Sequence, residues 1–125
     1  KYMIRQSLLT KEDLSIVHIS SISTRTGYKG LSMYASTKGA LEAFSLNTAR
    51  EWGSKGVRSN VVSPGFMDTN MSSSLTDEQR NKIFKRNSRL KELQTSEVAK
   101  AVSFLISEES SGITGQILNV DNGTI

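Results

Sequence analysis

Hydrophobic and polar positions along this chain switch between two periods. Leu14-Ser15-Ile16-Val17-His18-Ile19 is short, β-branched and almost unbroken in apolar character, as expected of a strand buried on both faces of a parallel sheet. It runs into Ser20-Ser21-Ile22-Ser23 and a loop with Gly27 and Gly30. From about Ser32 to Trp52 the pattern predicts a long helix, with Ala35, Ala40, Leu41, Ala43, Phe44, Ala49 and Trp52 giving apolar surface on more than one side. Gly53 and Gly56 are expected to end it by supplying positive φ.

Val57-Arg58-Ser59-Asn60-Val61-Val62-Ser63 predicts a second strand, stopped by Pro64-Gly65. Two strands joined through a helix imply a right-handed βαβ unit with parallel pairing. Residues 66–95 form a long polar excursion in which Thr76-Asp77-Glu78-Gln79 has the form of a capping box. A further helix, capped by Thr95 or Ser96, sets Val98, Val102, Leu105 and Ile106 on one face. Gln116–Val120 predicts a third strand, closed by Asp121-Asn122-Gly123. At the other end, Tyr2, Met3, Ile4, Leu8 and Leu9 fit the tail of an amphipathic helix over residues 1–9. The fold class is therefore α/β, with three parallel strands and flanking helices. The first strand has no predicted partner on its outer side, and so apolar an edge is an association hazard. The sheet is expected to be cut from a larger one, and a chain that opens in mid-helix without an initiator methionine points the same way.

Composition narrows the function classes. A chain of 125 residues suffices for one buried core. It has no cysteine, which excludes disulfides and thiolate metal sites, and no metal is expected. No run approaches transmembrane length and nothing at the start reads as a signal peptide, so a soluble, cytoplasmic protein without a membrane partner is expected. The net charge is +4, but the basic residues are interleaved with acids. Lys82, Lys85, Arg86, Arg89 and Lys91 form the densest patch, with few aromatic residues for base stacking around them. A solvated helix face is expected there rather than a nucleic-acid surface.

Candidate chemistry begins with Tyr34 and Lys38, four residues apart and so on one face of the long helix. An ammonium near a phenol favours the phenolate, which can exchange a proton with a carbonyl or alcohol oxygen. Ser21 lies just beyond the C-terminal end of the first strand, where ligands bind in open α/β sheets. Its hydroxyl could hydrogen-bond the same substrate oxygen, and Ser20 and Ser23 compete with it for that role.

The segments Ile19-Ser20-Ser21, Tyr34-Ala35-Ser36-Thr37-Lys38, Asn60-Val61-Val62-Ser63-Pro64-Gly65-Phe66-Met67-Asp68-Thr69 and Ile113-Thr114-Gly115-Gln116 carry a resemblance over nearly the whole chain. In order and spacing they resemble the short-chain dehydrogenase/reductases, most closely the 3-oxoacyl-(acyl-carrier-protein) reductase-like branch. The resemblance implies the C-terminal part of a doubly wound, Rossmann-like parallel sheet. Residues 1–125 would be the catalytic half of a single domain, with the N-terminal dinucleotide-binding half absent. It implies an NAD(P)-dependent oxidoreductase that interconverts a carbonyl and a secondary alcohol, with NADP or NAD as cofactor and NADPH favoured. Tyr34 would be the general acid and base and also a cofactor contact, Ser21 would polarise the carbonyl, and Lys38 would assist Tyr34 and hold the nicotinamide ribose. Pro64, Gly65, Met67 and Thr69 would line the nicotinamide. Partners would be a small-molecule carbonyl or alcohol and further copies of the chain, as a dimer or tetramer, with no nucleic acid.

The glycine-rich phosphate turn of that family, Gly-x-x-x-Gly-x-Gly, does not occur in this sequence. Neither the residue that separates NAD from NADP nor the asparagine that anchors a proton-relay water has a counterpart. Two further departures are the missing Arg-Leu-Gly and proline around Arg89–Ser96, and Asn122 in place of a glycine of Asp-Gly-Gly. The first bears on the substrate loop; the second is mild, since asparagine tolerates left-handed geometry. The alternative is a truncated, non-catalytic remnant that acts as an oligomerisation module through the helix at 32–52 and residues 1–9.

Overall fold

The computed structural model describes residue 5, residues 13–67 and residues 75–124. In chain order the elements are β1 (Leu14–Ile19), the short α1 (Ser23–Thr26), α2 (Ser32–Trp52), β2 (Val57–Pro64), α3 (Asp77–Phe84), α4 (Thr95–Ile106) and β3 (Ile117–Val120). Single 3-10 turns follow α2 at Gly53–Lys55 and α4 at Glu108–Ser110. The helix expected over residues 1–9 lies outside the described residues but for Arg5, which is helical.

β2 organises the rest because it is buried along its whole length. It is the middle strand of the order β1-β2-β3, and both pairings are parallel. Leu14 pairs with Val57 and Ile19 with Val62; Val61 pairs with Ile117 and Pro64 with Val120. Alternate residues of β2 serve opposite faces. Val62 faces α4, joining Val98, Leu105 and Leu93 in the core, with Val17, Ala101, Val102 and Val120 packed against it. Burying a side chain such as Leu105 or Val62 contributes about 1.5–3 kcal/mol. On the other face, Ser59 and Ser45 of α2 share a buried hydrogen bond of 2.9 Å, so the small residues of α2 bring helix and sheet close. The parallel three-stranded α/β layout agrees with the sequence reading, but β1 is an edge strand among the described residues and is half-buried, with Ile19 exposed, rather than buried on both faces.

Arg58 shows why a charged residue can sit in this interior. Its guanidinium donates to the carbonyls of Leu105, Ile113 and Ser107 and to the Ser110 hydroxyl at 3.0–3.2 Å. It thereby satisfies carbonyls at the C-terminus of α4, which lack intrahelical donors.

Three local expectations are corrected. Gly53 has φ −57 and continues the right-handed path into the 3-10 turn, so the left-handed exit falls on Gly56 alone, at φ 73. The N-cap of α4 is Gln94 rather than Thr95 or Ser96, because the Glu97 carboxylate accepts from the Gln94 N–H at 3.0 Å. Ile106 is 55% exposed; the core stripe of α4 passes through Val98, Ala101, Val102 and Leu105 and leaves Ile106 at its rim. The capping box of α3 forms as expected, with Gln79 N–H donating to Thr76 Oγ1 and Thr76 N–H to Gln79 Oε1. Asn122 takes φ 56, the left-handed conformation its position suggests. In the basic patch, Lys82 pairs with Glu78 and both Lys91 and Arg89 pair with Glu97. No described helix is long and apolar enough to cross a membrane.

His18 points from β1 toward α2, where its ring meets Phe44 edge-on at 5.6 Å. Burial pushes its pKa below the usual histidine value, so the folded state favours the neutral ring. The unfolded chain binds the extra proton near pH ~6.5, so this contribution is complete above that pH and is lost as pH falls toward the lower folded value. Thermal melts from about pH 7.5 to about pH 5.5 are expected to show a falling midpoint, and His18→Leu is expected to flatten that slope. Equal slopes in the two proteins would remove His18 as the cause.

Candidate active site

The C-terminal end of β1 stays tied to β2 after the strand ends. Ser20 N–H donates to the Val62 carbonyl at 2.8 Å, and Ile22 N–H donates to the Pro64 carbonyl at 3.1 Å. These bonds hold Ser20 and Ile22 down against the sheet, both buried, and leave Ser21 half-buried between them. The three candidate serines separate on this ground. The Ser20 hydroxyl donates to the Glu42 carboxylate at 2.7 Å, with the Lys38 carbonyl 3.4 Å away. Ser23 is 5% exposed and its hydroxyl has no partner among the described residues. The Ser21 hydroxyl accepts from the Ser23 N–H at 3.2 Å, which leaves its own proton for an oxygen arriving at the strand end.

α2 starts from the loop that follows and carries Tyr34 and Lys38 back across this end of the sheet. The Lys38 ammonium donates to the Ile19 carbonyl at 2.9 Å, which fixes it at the last residue of β1. It stands 5.7 Å from the centre of the Tyr34 ring, within cation–π range. Tyr34 is 40% exposed, so its phenol is open to a ligand. Tyr34, Lys38 and the β1 terminus beside Ser21 thus meet at the carboxyl edge of the sheet.

Pro64 and Gly65 form the turn at the end of β2. Gly65 N–H donates to the Val120 carbonyl at 2.8 Å. A Cβ at Gly65 would stand 2.8 Å from the Cα of Asp121 and 2.9 Å from its Cβ. Because backbone rather than a flexible side-chain end blocks that space, Gly65→Ala must push β3 away from the turn. The substitution is expected to cost about 1–3 kcal/mol, read as a lower urea midpoint at unchanged m-value; an unchanged midpoint would show that the two segments separate freely. Met67 packs against the core around Val62 and Leu105, and Phe66 meets Phe84 of α3 at 5.7 Å. Thr69, the remaining cofactor candidate, lies outside the described residues, as do Asn70 and Ser72–Ser74 of the substrate excursion.

Glu42 is a site residue that the sequence reading passed over. It lies one turn beyond Lys38 and two beyond Tyr34, a spacing that places all three on one helix face. Its carboxylate accepts from Ser20 and, at 3.0 Å, from the Thr24 hydroxyl. Nearby, a cleft of about 500 Å³ opens beside Ile22, lined by Arg25, Tyr28, Arg86, Asn119 and Asp121 among others. There Arg86 lies over the Tyr28 ring at 5.7 Å.

Known proteins are similar to this chain in sequence and fold. The family model described as enoyl-(acyl carrier protein) reductase matches residues 1–124. The 3-oxoacyl-(acyl-carrier-protein) reductase of Chlamydia trachomatis is 42% identical over 109 residues, which cover 87% of this chain and 44% of the relative. A short-chain type dehydrogenase/reductase from Mycobacterium ulcerans superposes with a TM-score of 0.88 at 28% identity, over 97% of this chain and 43% of that one. A gluconate 5-dehydrogenase from Burkholderia cenocepacia, solved with NADP and tartrate, also superposes with a TM-score of 0.88, at 26% identity over 97% of this chain and 46% of that one. The chain spans about half the length of the curated relatives it matches.

Proposed function

This chain belongs to the short-chain dehydrogenase/reductase family, and from that premise we propose that residues 1–125 are the C-terminal, catalytic half of an NAD(P)-dependent carbonyl reductase. The observation that carries the proposal is the Lys38 ammonium, held on the Ile19 carbonyl at 2.9 Å and 5.7 Å from the Tyr34 ring, beside the strand end that presents Ser21. The reaction is the interconversion of a 3-oxoacyl thioester, or a similar small-molecule carbonyl, with its secondary alcohol. A cytoplasmic location is part of the same proposal.

The residues present fit one end of the dinucleotide. A fixed ammonium and an open phenol suit the diol of the nicotinamide ribose, and the Pro64-Gly65 turn with Met67 and Thr69 is assigned to the nicotinamide side. Bound there, the nicotinamide supplies hydride in reduction and takes it in oxidation. NADPH is favoured over NADH by the family resemblance, and the Burkholderia neighbour was solved with NADP.

In reduction, Tyr34 gives its phenolic proton to the substrate oxygen and is left as phenolate; in oxidation it takes the proton back. Lys38, held on the Ile19 carbonyl, brings a positive charge to the side of that ring. Ser21 donates its hydroxyl proton in a hydrogen bond to the same oxygen, where negative charge develops in the transition state. Ser21 keeps its proton throughout: its oxygen accepts from Ser23 N–H, and its O–H would donate to the substrate oxygen.

The pyrophosphate and adenosine contacts are assigned to a segment that precedes these residues. Calorimetry tests that division. The 125-residue chain titrated with NADPH is expected to show no low-micromolar binding, while the product of the complete reading frame binds; tight binding by the 125 residues alone would overturn the division.

A second reading, the non-catalytic assembly module, is favoured by one observation. Met33, Ala40 and Phe44 are all exposed on one face of α2, more apolar surface than an isolated helix face needs. The family resemblance implies a dimer or tetramer through this helix, and assembly is compatible with catalysis by the same chain.

A further inference from the structure

We propose that Glu42 is a positioning residue that sets the Ser21 hydroxyl against Tyr34, an inference that rests on the reaction proposed above. Its carboxylate grips the β1–α1 turn on both sides of Ser21: at the preceding residue through the Ser20 hydroxyl at 2.7 Å, and three residues later through the Thr24 hydroxyl at 3.0 Å. Thr24 in turn holds the Ser21 carbonyl through its N–H at 3.2 Å, and its single hydroxyl proton, with both acceptors at 3.0 Å, is shared between that carbonyl and the Glu42 carboxylate. Ser21 is therefore framed by two groups that both answer to one carboxylate.

That carboxylate belongs to the helix that carries Tyr34 and Lys38. The grip crosses from α2 to the turn, so it fixes the distance between the proton donor and the hydrogen-bonding serine. Hydrogen bonds to a carboxylate are stronger than those between neutral groups, and a displacement of ~1 Å in a reacting constellation can cost about 10²-fold in rate. Glu42 also stands at the spacing for an ion pair with Lys38. No such pair forms among the described residues: the ammonium goes to the Ile19 carbonyl, and the carboxylate takes the two hydroxyls. Lys38 thereby keeps its charge for the side of Tyr34.

The test is a double-mutant cycle in the product of the complete reading frame, with NADPH and acetoacetyl-coenzyme A as probes. Glu42→Ala is expected to lower kcat by about 10- to 100-fold with KM for NADPH within about twofold, and to lower it no further once Ser21→Ala is already present. Glu42→Gln keeps an oxygen that can accept both hydroxyls and is expected to retain turnover within about threefold. Thr24→Val, which removes one of the two donors and leaves the carboxylate in place, is expected to give a smaller loss that also vanishes in Ser21→Ala. It carries the cycle if Glu42→Ala does not fold. Equal losses in the two backgrounds, or full turnover in Glu42→Ala and Thr24→Val while Ser21→Ala is impaired, would overturn the role of Glu42 and leave the reaction standing. Full turnover in both Ser21→Ala and Tyr34→Phe would overturn the reaction itself, and the role of Glu42 with it.

Discussion

Tyr34→Phe is expected to lower turnover by about 10³-fold and NADPH affinity by no more than about tenfold, the worth of one hydrogen bond to the ribose. The substitution removes one oxygen and keeps the ring. Lys38 loses nothing that fixes it, because its ammonium is held by the Ile19 carbonyl rather than by the phenol, and the ring it faces at 5.7 Å remains. The fold is indifferent to the change, since Tyr34 is 40% exposed and surface substitutions shift stability little. What disappears is the proton donor at the substrate oxygen, and water at the strand end is a poorer substitute. Steady-state kinetics together with a fluorescence titration of NADPH would check both halves of this expectation. A large loss of cofactor affinity would mean that the phenol serves binding more than proton transfer.

Ser21→Ala is expected to lower kcat and kcat/KM together by about 10²-fold, the cost of one hydrogen-bond donor to a developing oxyanion. Equal loss in both constants marks an interaction made in the transition state alone. The turn should survive the change, because its backbone is held by Ser20 N–H on Val62, Ile22 N–H on Pro64 and Thr24 N–H on Ser21. Ser23→Ala supplies the contrast: that hydroxyl is buried without a partner among the described residues, so its loss should leave kcat within about threefold. A loss in Ser23→Ala as large as in Ser21→Ala would move the hydrogen-bonding role away from Ser21.

The sequence was most legible where one period ran long. The Ser32–Trp52 bounds of α2 follow from its helical pattern. Burial along the strands did not follow from apolar content: β2 is buried throughout although Arg58, Ser59, Asn60 and Ser63 are polar, because it is the middle strand, while the more apolar Leu14–Ile19 run is only half-buried at the edge. Caps were harder to read. Thr95 and Ser96 are the residue types that usually cap, yet the Glu97 carboxylate reaches back to Gln94 and starts the helix one residue earlier. Gly53 and Gly56 look alike as letters, and only the 3-10 turn between them decides which takes positive φ. Within the site, the Tyr34–Lys38 spacing showed a shared face, but not that Lys38 would anchor on the Ile19 carbonyl. Three serines in four residues could not be ranked from composition. The ladder bonds from Ser20 and Ile22 to β2 rank them, since those bonds bury Ser20 and leave Ser21 half-buried. Glu42 escaped notice because a glutamate on a helix reads as a solvated residue until the hydroxyls of Ser20 and Thr24 are seen to converge on it. Its partners lie 22 and 18 residues away in sequence, beyond any helical period.

The most direct measurement is the oxidation of NADPH by the product of the complete reading frame with acetoacetyl-coenzyme A, followed through the loss of the cofactor's near-ultraviolet absorbance. Turnover on the order of 1–10³ s⁻¹ that disappears in Tyr34→Phe is the predicted result. No oxidation above background with this thioester or with ketones of other small carbon chains, by a folded protein that binds NADPH, would contradict the assignment of this site to carbonyl reduction.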